Sequence, residues 1–222
     1  MNQTIRLTFH DGLVRLQSLV LDLANEVKNN GDLLLDFLQN KQNVNELFLK
    51  VKTKDKEIDK ARWHVHDFGD QLIVLQQPVA KDFRYIITAI QTTDNLERIG
   101  DHFKKAARLL EKVSITDIEF EIPQEIINMA KLGLKMLSEA TIAYSEMFEE
   151  KTNTIADLDE QVDILYKQTV LKIINLIKQA SEDKVDSLTK LLFIAHSFER
   201  AADHAAKIGL LVNYAVTGKR DK

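Results

Sequence analysis

The sequence predicts an all-α protein made of two tandem, pseudo-symmetric, antiparallel three-helix bundles with six long helices. Turn-forming residues are scarce. The 222 residues include 7 Gly and 2 Pro, which is about 4% of the chain, against roughly 12% for the two together in an average protein. Apolar residues recur with helical spacing through most of the chain, which is typical of long helices packed side by side. Two acidic motifs of the first half also recur in the second half, as expected for a duplicated bundle.

Three helices are predicted in the first half. An apolar face from Leu13 to Val27 predicts the first helix, and Gly31 leaves open whether this helix breaks there. The polar run 40–43 predicts a turn. An apolar stripe with a seven-residue repeat then predicts the second helix. Pro78 interrupts the pattern and suits the first turn of the third helix, whose apolar face runs from Phe83 to about Val113. The stripe of the second helix consists of Val44, Val51, Ile58, Val65 and Leu72.

A linker is predicted between the two halves. Residues 114–122 lack helical periodicity and are rich in β-branched side chains. Pro123 follows in a position that suits a helix start. We therefore predict a first bundle over residues 1–113 and a second bundle over residues 123–218.

The second half repeats the order of the first. Its first helix is predicted from about Gln124 to Glu150, and residues 151–154 are predicted to form a turn with capping side chains. The next helix extends to about Ala180, where residues 181–183 turn the chain. The last helix is predicted to end near Gly218, because glycine is a common helix stop.

Composition excludes several classes of protein. The chain has no cysteine, which excludes disulfides, thiolate metal sites and a cysteine nucleophile. Its net charge of −4 does not favour nucleic-acid binding. No apolar run approaches the roughly 20 residues that span a bilayer, and the N-terminus lacks the apolar core of a secretory signal. We therefore expect a soluble protein of the cytoplasm.

The main chemical signal is a set of four acidic pairs, each spaced four residues apart. This spacing places both carboxylates on one helix face, where they repel each other. The pairs also continue apolar columns, such as the column that joins Phe83, Ile90 and Glu97. The four pairs are Asp55/Asp59, Glu97/Asp101, Asp159/Asp163 and Glu199/Asp203.

The eight carboxylates of these pairs are predicted to meet in two groups of four. If the second and third helices fold back about Pro78, Asp55 lies level with Asp101, and Asp59 lies level with Glu97. The same construction about Ser181 places Asp159 level with Asp203, and Asp163 level with Glu199. Each bundle is thus predicted to carry four carboxylates at one level.

Four adjacent carboxylates need compensation, either by raised pKa values, by Lys and Arg, or by a cation. Clustered oxygen ligands suit Mg, Ca, Mn or Fe. Asp94 is a further candidate ligand in the first half, and His196 holds the corresponding position in the second. His102 and His204 point about 100° away from the motif carboxylates and are at best outer contacts. A solvated acidic groove without metal satisfies the same spacing.

Several segments resemble the PhoU family. The run Leu96–His102 resembles the family's Glu-Arg-Ile-Gly-Asp motif, and Gln77–Arg84 resembles its Gln-Pro-x-x-x-Asp-Leu-Arg segment, with Phe83 in place of Leu. The run Glu199–His204 is similar to a second copy, although Ala201 and Ala202 replace Ile-Gly, and Asp159–Asp163 is similar to its partner on the preceding helix. The likeness covers nearly the whole chain.

This resemblance implies a fold and a function. The implied fold is two three-helix bundles, and the implied function is cytoplasmic regulation of phosphate uptake and phosphate-responsive signalling. The implied partners are the ATPase of a phosphate ABC transporter, a sensor histidine kinase and a second copy in a homodimer, and the protein would reach the membrane only through such partners. Iron or zinc is the implied metal, held by the eight carboxylates of the four acidic pairs.

Two other functions stay open. A metalloenzyme would use clustered ions to activate water for phosphoester hydrolysis, but no nucleophile, base or phosphate cradle is evident in the sequence. A metal-free helical interaction protein is the other alternative. The di-iron Glu-x-x-His pattern is absent, since Gly100 and Ala202 occupy the histidine position.

Overall fold

The computed structural model describes residues 2–40, 44–113, 122–148 and 151–219. Within these ranges the chain forms six helices and no strand, which confirms the predicted all-α class. The helices are α1 (Asn2–Asn40), α2 (Val44–Gln76), α3 (Ala80–Lys112), α4 (Gln124–Glu146), α5 (Lys151–Gln179) and α6 (Glu182–Thr217). None of these helices is both long enough and apolar enough to cross a membrane.

The helices pack as two groups of three. In the first group, α1, α2 and α3 all contact one another. In the second group, α4, α5 and α6 do the same. Between the groups, α3 packs along α6 and α1 packs against α4. The buried apolar residues of all six helices join into one continuous core, so the interface between the groups is itself a hydrophobic contact.

The helix α1 continues unbroken through Gly31. A β-carbon at this position would lie 2.3 Å from Leu134 Cδ2 and 2.8 Å from Phe103 Cε2. The glycine is therefore explained by the close packing of α1 against side chains of α3 and α4, rather than by a bend.

Several predicted boundaries differ from the observed ones. Pro78 lies before the N-cap residue Val79 and not in the first turn of α3. The helix α4 ends at Glu146, because Met147 has a left-handed conformation (φ 50°). Residues 151–154 are not a turn, since α5 begins at Lys151; their Thr and Asn side chains are compatible with a first helical turn. The predicted end of α6 is confirmed, with Gly218 in the left-handed conformation.

The turn at 41–43 and linker residues 114–121 lie outside the described residues. The division into bundles 1–113 and 123–218 stays a prediction, although α3 and α4 end and begin within two residues of the proposed linker.

Candidate functional site: two acidic clusters

The first acidic cluster consists of Asp55 and Asp59 on α2 and of Glu97 and Asp101 on α3. Asp55 is 5% exposed, Glu97 and Asp101 are half-buried, and Asp59 is exposed. Asp55 is close enough to Asp101 and Asp59 for their charges to affect its pKa, and Glu97 is likewise affected by Asp101 and Asp59. The two helices therefore bring the four carboxylates near one another, as predicted.

Burial and like charges act together on this cluster. Burial is the main cause that raises the pKa of Asp55, and the neighbouring charges of Asp59 and Asp101 add to it. Burial also raises the pKa of Glu97, followed by repulsion from Asp101, while Arg98 and Arg62 oppose this change. Ionising the cluster thus costs free energy in the folded protein.

Lys104 lies between the two helices of the first cluster. Its Nζ donates hydrogen bonds to Asp55 Oδ2 at 2.6 Å and to Asp101 Oδ1 at 2.7 Å. Burial alone would lower the pKa of this ammonium group, but the bonds to Asp101 and Asp55 raise it above its usual range. The ammonium group therefore stays charged and offsets part of the repulsion between these two carboxylates.

Asp94 has partners of its own on α2. Its Oδ1 accepts a hydrogen bond from Arg62 Nε at 2.7 Å and lies 2.9 Å from His66 Nε2. Asp94 also lines an open pocket of about 400 Å³ between α3 and α6, together with Asn95 and Lys207. The role of Asp94 as an added metal ligand stays a prediction.

The second acidic cluster consists of Asp159 and Asp163 on α5 and of Glu199 and Asp203 on α6. All four residues are half-buried. Burial raises the pKa of Asp159, followed by the charges of Asp203 and Asp163. Burial raises the pKa of Glu199 to about 7, and Asp203, Asp163 and Asp159 add to this increase. The second hairpin thus brings its four carboxylates together as predicted.

The second acidic cluster has less internal compensation than the first. Arg200 Nη1 donates to Asp203 Oδ2 at 2.8 Å. Glu199 Oε2 is buried without a hydrogen bond, and so is Nδ1 of His196, although the two atoms are 3.3 Å apart. Burial lowers the pKa of His196, and Lys105 and Arg200 lower it further, so the imidazole is neutral and does not neutralise Glu199.

Sequence reasoning missed some residues at these sites. Lys104 follows Asp101 by three residues, so helical spacing alone places the two on one face. Tyr166 follows Asp159 by seven residues; its ring lies 6.0 Å from that of His196. Burial and then the charge of Glu199 raise the pKa of Tyr166, so this phenol also borders the second acidic cluster.

The two clusters differ in how well they suit a metal ion. In the second, the donor set of carboxylates and a neutral imidazole, with an unpartnered Glu199 oxygen, fits a divalent cation. In the first, Lys104 already uses oxygens of Asp55 and Asp101. Among the residues that the structure describes, no three His, Asp or Glu side chains converge as a ready metal site, so binding at either cluster requires side chains to turn.

The fold and these clusters define a class: tandem helical bundles with a duplicated acidic motif on paired helices. The model of the PhoU domain matches this chain twice, over residues 20–110 and 126–212. Each match falls within one group of three helices and contains one acidic cluster. The chain therefore belongs to the PhoU family.

Relatives of the chain are named as phosphate transport proteins. A phosphate-specific transport system accessory protein PhoU homolog from Clostridium acetobutylicum is 31% identical over 180 residues, which cover 81% of this chain and 80% of that protein. A homolog with the same name from Streptococcus pneumoniae serotype 4 is 29% identical over 204 residues, covering 92% of this chain and 89% of that one.

Two crystal structures share the fold. The phosphate transport system regulatory protein PhoU from Streptococcus pneumoniae superposes with a TM-score of 0.88 at 27% identity, covering 96% of this chain and 99% of that one. PhoU from Pseudomonas aeruginosa gives a TM-score of 0.77 at 23% identity, covering 99% and 100%; at that identity the likeness concerns the fold alone. These relatives place the chain among accessory and regulatory proteins of phosphate transport.

Proposed function

We propose that the protein is a cytoplasmic regulator of phosphate uptake and phosphate-responsive signalling, without enzymatic activity. It acts as an adaptor between the ATPase subunit of a phosphate ABC transporter and a sensor histidine kinase, and it works as a homodimer. The observation that carries this proposal is the match of both helical groups to one family whose relatives are named for phosphate transport.

The proposed mechanism depends on the electrostatics of the two clusters. In each cluster the carboxylates repel one another across two paired helices, so the spacing and stiffness of each hairpin depend on how that repulsion is offset. A bound divalent or trivalent cation, with iron or zinc favoured by the family resemblance and Mg, Mn or Ca as alternatives, would offset it. Asp159, Asp163, Glu199 and Asp203, with His196, are the proposed ligands in the second cluster.

The first cluster offers a corresponding set of candidate ligands, but its own cations already contact several of them. Its ligands would be Asp55, Asp59, Glu97 and Asp101, with Asp94 beside them, but Lys104 and Arg62 contact members of this set. Compensation by these side chains also favours a second candidate, a metal-free helical interaction protein. Both candidates act through protein contacts, and they differ in whether a cation is bound.

Binding to the transporter tests the adaptor role. The tagged protein is expected to retain the ATPase subunit of the phosphate transporter from its own cell, with an affinity that changes between high and low phosphate. A tagged ATPase of an unrelated ABC transporter serves as the control. Absence of binding at both phosphate concentrations contradicts the proposal.

Elemental analysis after gentle purification separates the two candidates. Protein with bound cation is expected to lose metal in the Asp163→Asn and Asp203→Asn variant, whereas Glu160→Gln, an exposed acid on the same helix as Asp163, leaves the content unchanged. Wild-type protein without metal favours the metal-free alternative.

A further inference from the structure

We infer that the ammonium group of Lys104 is a built-in counter-ion of the first acidic cluster, so that the second acidic cluster alone accepts a divalent cation. The two helical groups are then not equivalent: the first offsets part of its repulsion with its own lysine, and the second depends on an ion from solution. The part of this inference that concerns the second cluster rests on the cation binding proposed above.

The contacts of Lys104 join both helices of the first cluster. Nζ lies 2.6 Å from Asp55 Oδ2 on α2 and 2.7 Å from Asp101 Oδ1 on α3. Asp55 is the most buried of the four carboxylates, with a side chain 7% exposed, so the carboxylate end of this ion pair is shielded from solvent. A divalent cation at these oxygens would lie beside a positive charge and would have to displace it.

The internal repeat provides the comparison within one molecule. The acids Glu97 and Asp101 of α3 correspond to Glu199 and Asp203 of α6. By the same offset, Lys104 corresponds to Ala206, which packs partly buried against the core. The methyl group of alanine has no charge and no donor, so the second cluster lacks the bridge that joins the two helices in the first.

The arginines of the two motifs do not account for this difference. Arg98 Nε lies 3.7 Å from Glu97 Oε2, and its counterpart Arg200 pairs with Asp203 at 2.8 Å. Each cluster therefore has one motif arginine, and Lys104 is an additional cation of the first. In keeping with this, Glu199 Oε2 is buried without a hydrogen-bond partner in the second cluster.

Reciprocal substitution tests the inference. Lys104→Ala gives the first cluster the residue of the second, and Ala206→Lys gives the second cluster the residue of the first. Mn²⁺ is titrated into chelator-stripped protein, and free Mn²⁺ is followed by electron paramagnetic resonance. Wild type is expected to load one cluster; Lys104→Ala roughly doubles the bound Mn²⁺, and Ala206→Lys loses at least about tenfold in affinity, since an added positive charge opposes the ion. The exposed Lys56→Ala is the control and leaves binding unchanged.

A second measurement separates failure of this inference from failure of cation binding. In excess EDTA, Lys104→Ala is expected to lower the melting temperature by more than about 3 °C relative to Lys56→Ala, because Asp55 loses its partner while still buried. This drop supports the counter-ion role even if no variant binds Mn²⁺, which would remove only the cation proposal. Equal melting temperatures in EDTA, or equal Mn²⁺ binding by wild type and Lys104→Ala in protein that does bind, overturns the inference.

Discussion

The imidazole rings of His102 and His204 stack across the interface between α3 and α6, with their centroids 5.7 Å apart and their planes inclined by 28°. His204 Nδ1 also lies 2.9 Å from Asn95 Oδ1 on α3. Burial, followed by the charge of Arg200, lowers the pKa of His102 to about 4. Burial, followed by Lys207, lowers the pKa of His204 to about 4 as well. The two helical groups therefore meet at a pair of neutral imidazoles.

This pair predicts a loss of stability in acid. In the unfolded chain each histidine takes up a proton near its ordinary pKa of 6.5, whereas the folded protein resists protonation to about pH 4. The unfolded state thus binds more protons in this window, so the free energy of unfolding falls as the pH drops from about 6.5 to about 4. We expect a loss of about 1–2 kcal/mol for each half-buried imidazole.

Urea unfolding at a series of pH values measures this effect. The double variant His102→Phe and His204→Phe keeps two stacked rings without a titrating group, so its stability is expected to change less between pH 6.5 and pH 4. His64→Gln alters an exposed histidine and keeps the wild-type slope. The prediction concerns the slope, since the loss of the Asn95 contact shifts the baseline. Parallel curves for the double variant and wild type contradict it.

The levels of the carboxylates were predictable from sequence because helix geometry fixes them. A constant rise per residue and a known turn position determine which residues face each other across a hairpin. That reasoning needs no side-chain detail, and it placed Asp55 with Asp101 and Asp159 with Asp203. The same periodicity predicted that His102 and His204 point away from the carboxylates, and the structure places them against each other between α3 and α6.

The partners of individual side chains were not predictable in this way. Asp94 shares its face with the first acidic cluster, yet Arg62 and His66 of α2 bind it. Lys104 reaches a buried carboxylate on another helix through its flexible side chain. Which carboxylate it contacts depends on the space between the helices. The start of α5 at Lys151 was missed because Thr and Asn favour caps and first turns alike.

The packing around Gly31 predicts that a larger residue at this position destabilises the fold. Gly31→Ala would place a methyl group 2.3 Å from Leu134 Cδ2 and 2.8 Å from Phe103 Cε2, and both side chains are buried. Overpacking of this kind costs about 1–3 kcal/mol, which exceeds the gain of about 1 kcal/mol in helix propensity. We therefore expect a net loss of stability in urea unfolding.

Gly133→Ala on α4 is the matched control for this substitution. The nearest atom to its new methyl group would be the Phe198 carbonyl oxygen at 3.9 Å, an ordinary contact. This variant is expected to match wild type or exceed it by up to about 1 kcal/mol. If both variants are equally stable, the close approach at Gly31 is not required.

Gln77 predicts a stabilising substitution. It follows α2 with a φ of 47°, and its N–H donates to Ile73 O at 3.0 Å, as in a left-handed helix C-cap. A side chain is strained in this conformation and glycine is not. Gln77→Gly is expected to raise the free energy of unfolding by about 0.5–1 kcal/mol, measured by urea unfolding. Gln76→Gly, one residue earlier and still in α2, is expected to lower it by about the same amount.

Glu199 predicts the opposite pH dependence from the histidine pair. Its pKa rises from an ordinary 4.5 to about 7 in the folded protein, so here the folded state binds more protons than the unfolded one between these values. The free energy of unfolding in EDTA therefore falls as the pH rises from about 4.5 to about 7, by about 1–2 kcal/mol from this half-buried residue.

Glu199→Gln removes this titrating group but keeps its shape. In EDTA, the variant is expected to be less stable than wild type, or equal to it, at pH 5 and more stable at pH 8, so the two curves of unfolding free energy against pH cross, or diverge as the pH rises. Glu160→Gln, an exposed acid on α5, follows wild type throughout. A constant difference between Glu199→Gln and wild type from pH 5 to pH 8 would mean that Glu199 ionises freely in the fold. Ionising Glu199 would then cost no free energy in the folded protein, and a cation would have no such cost to relieve.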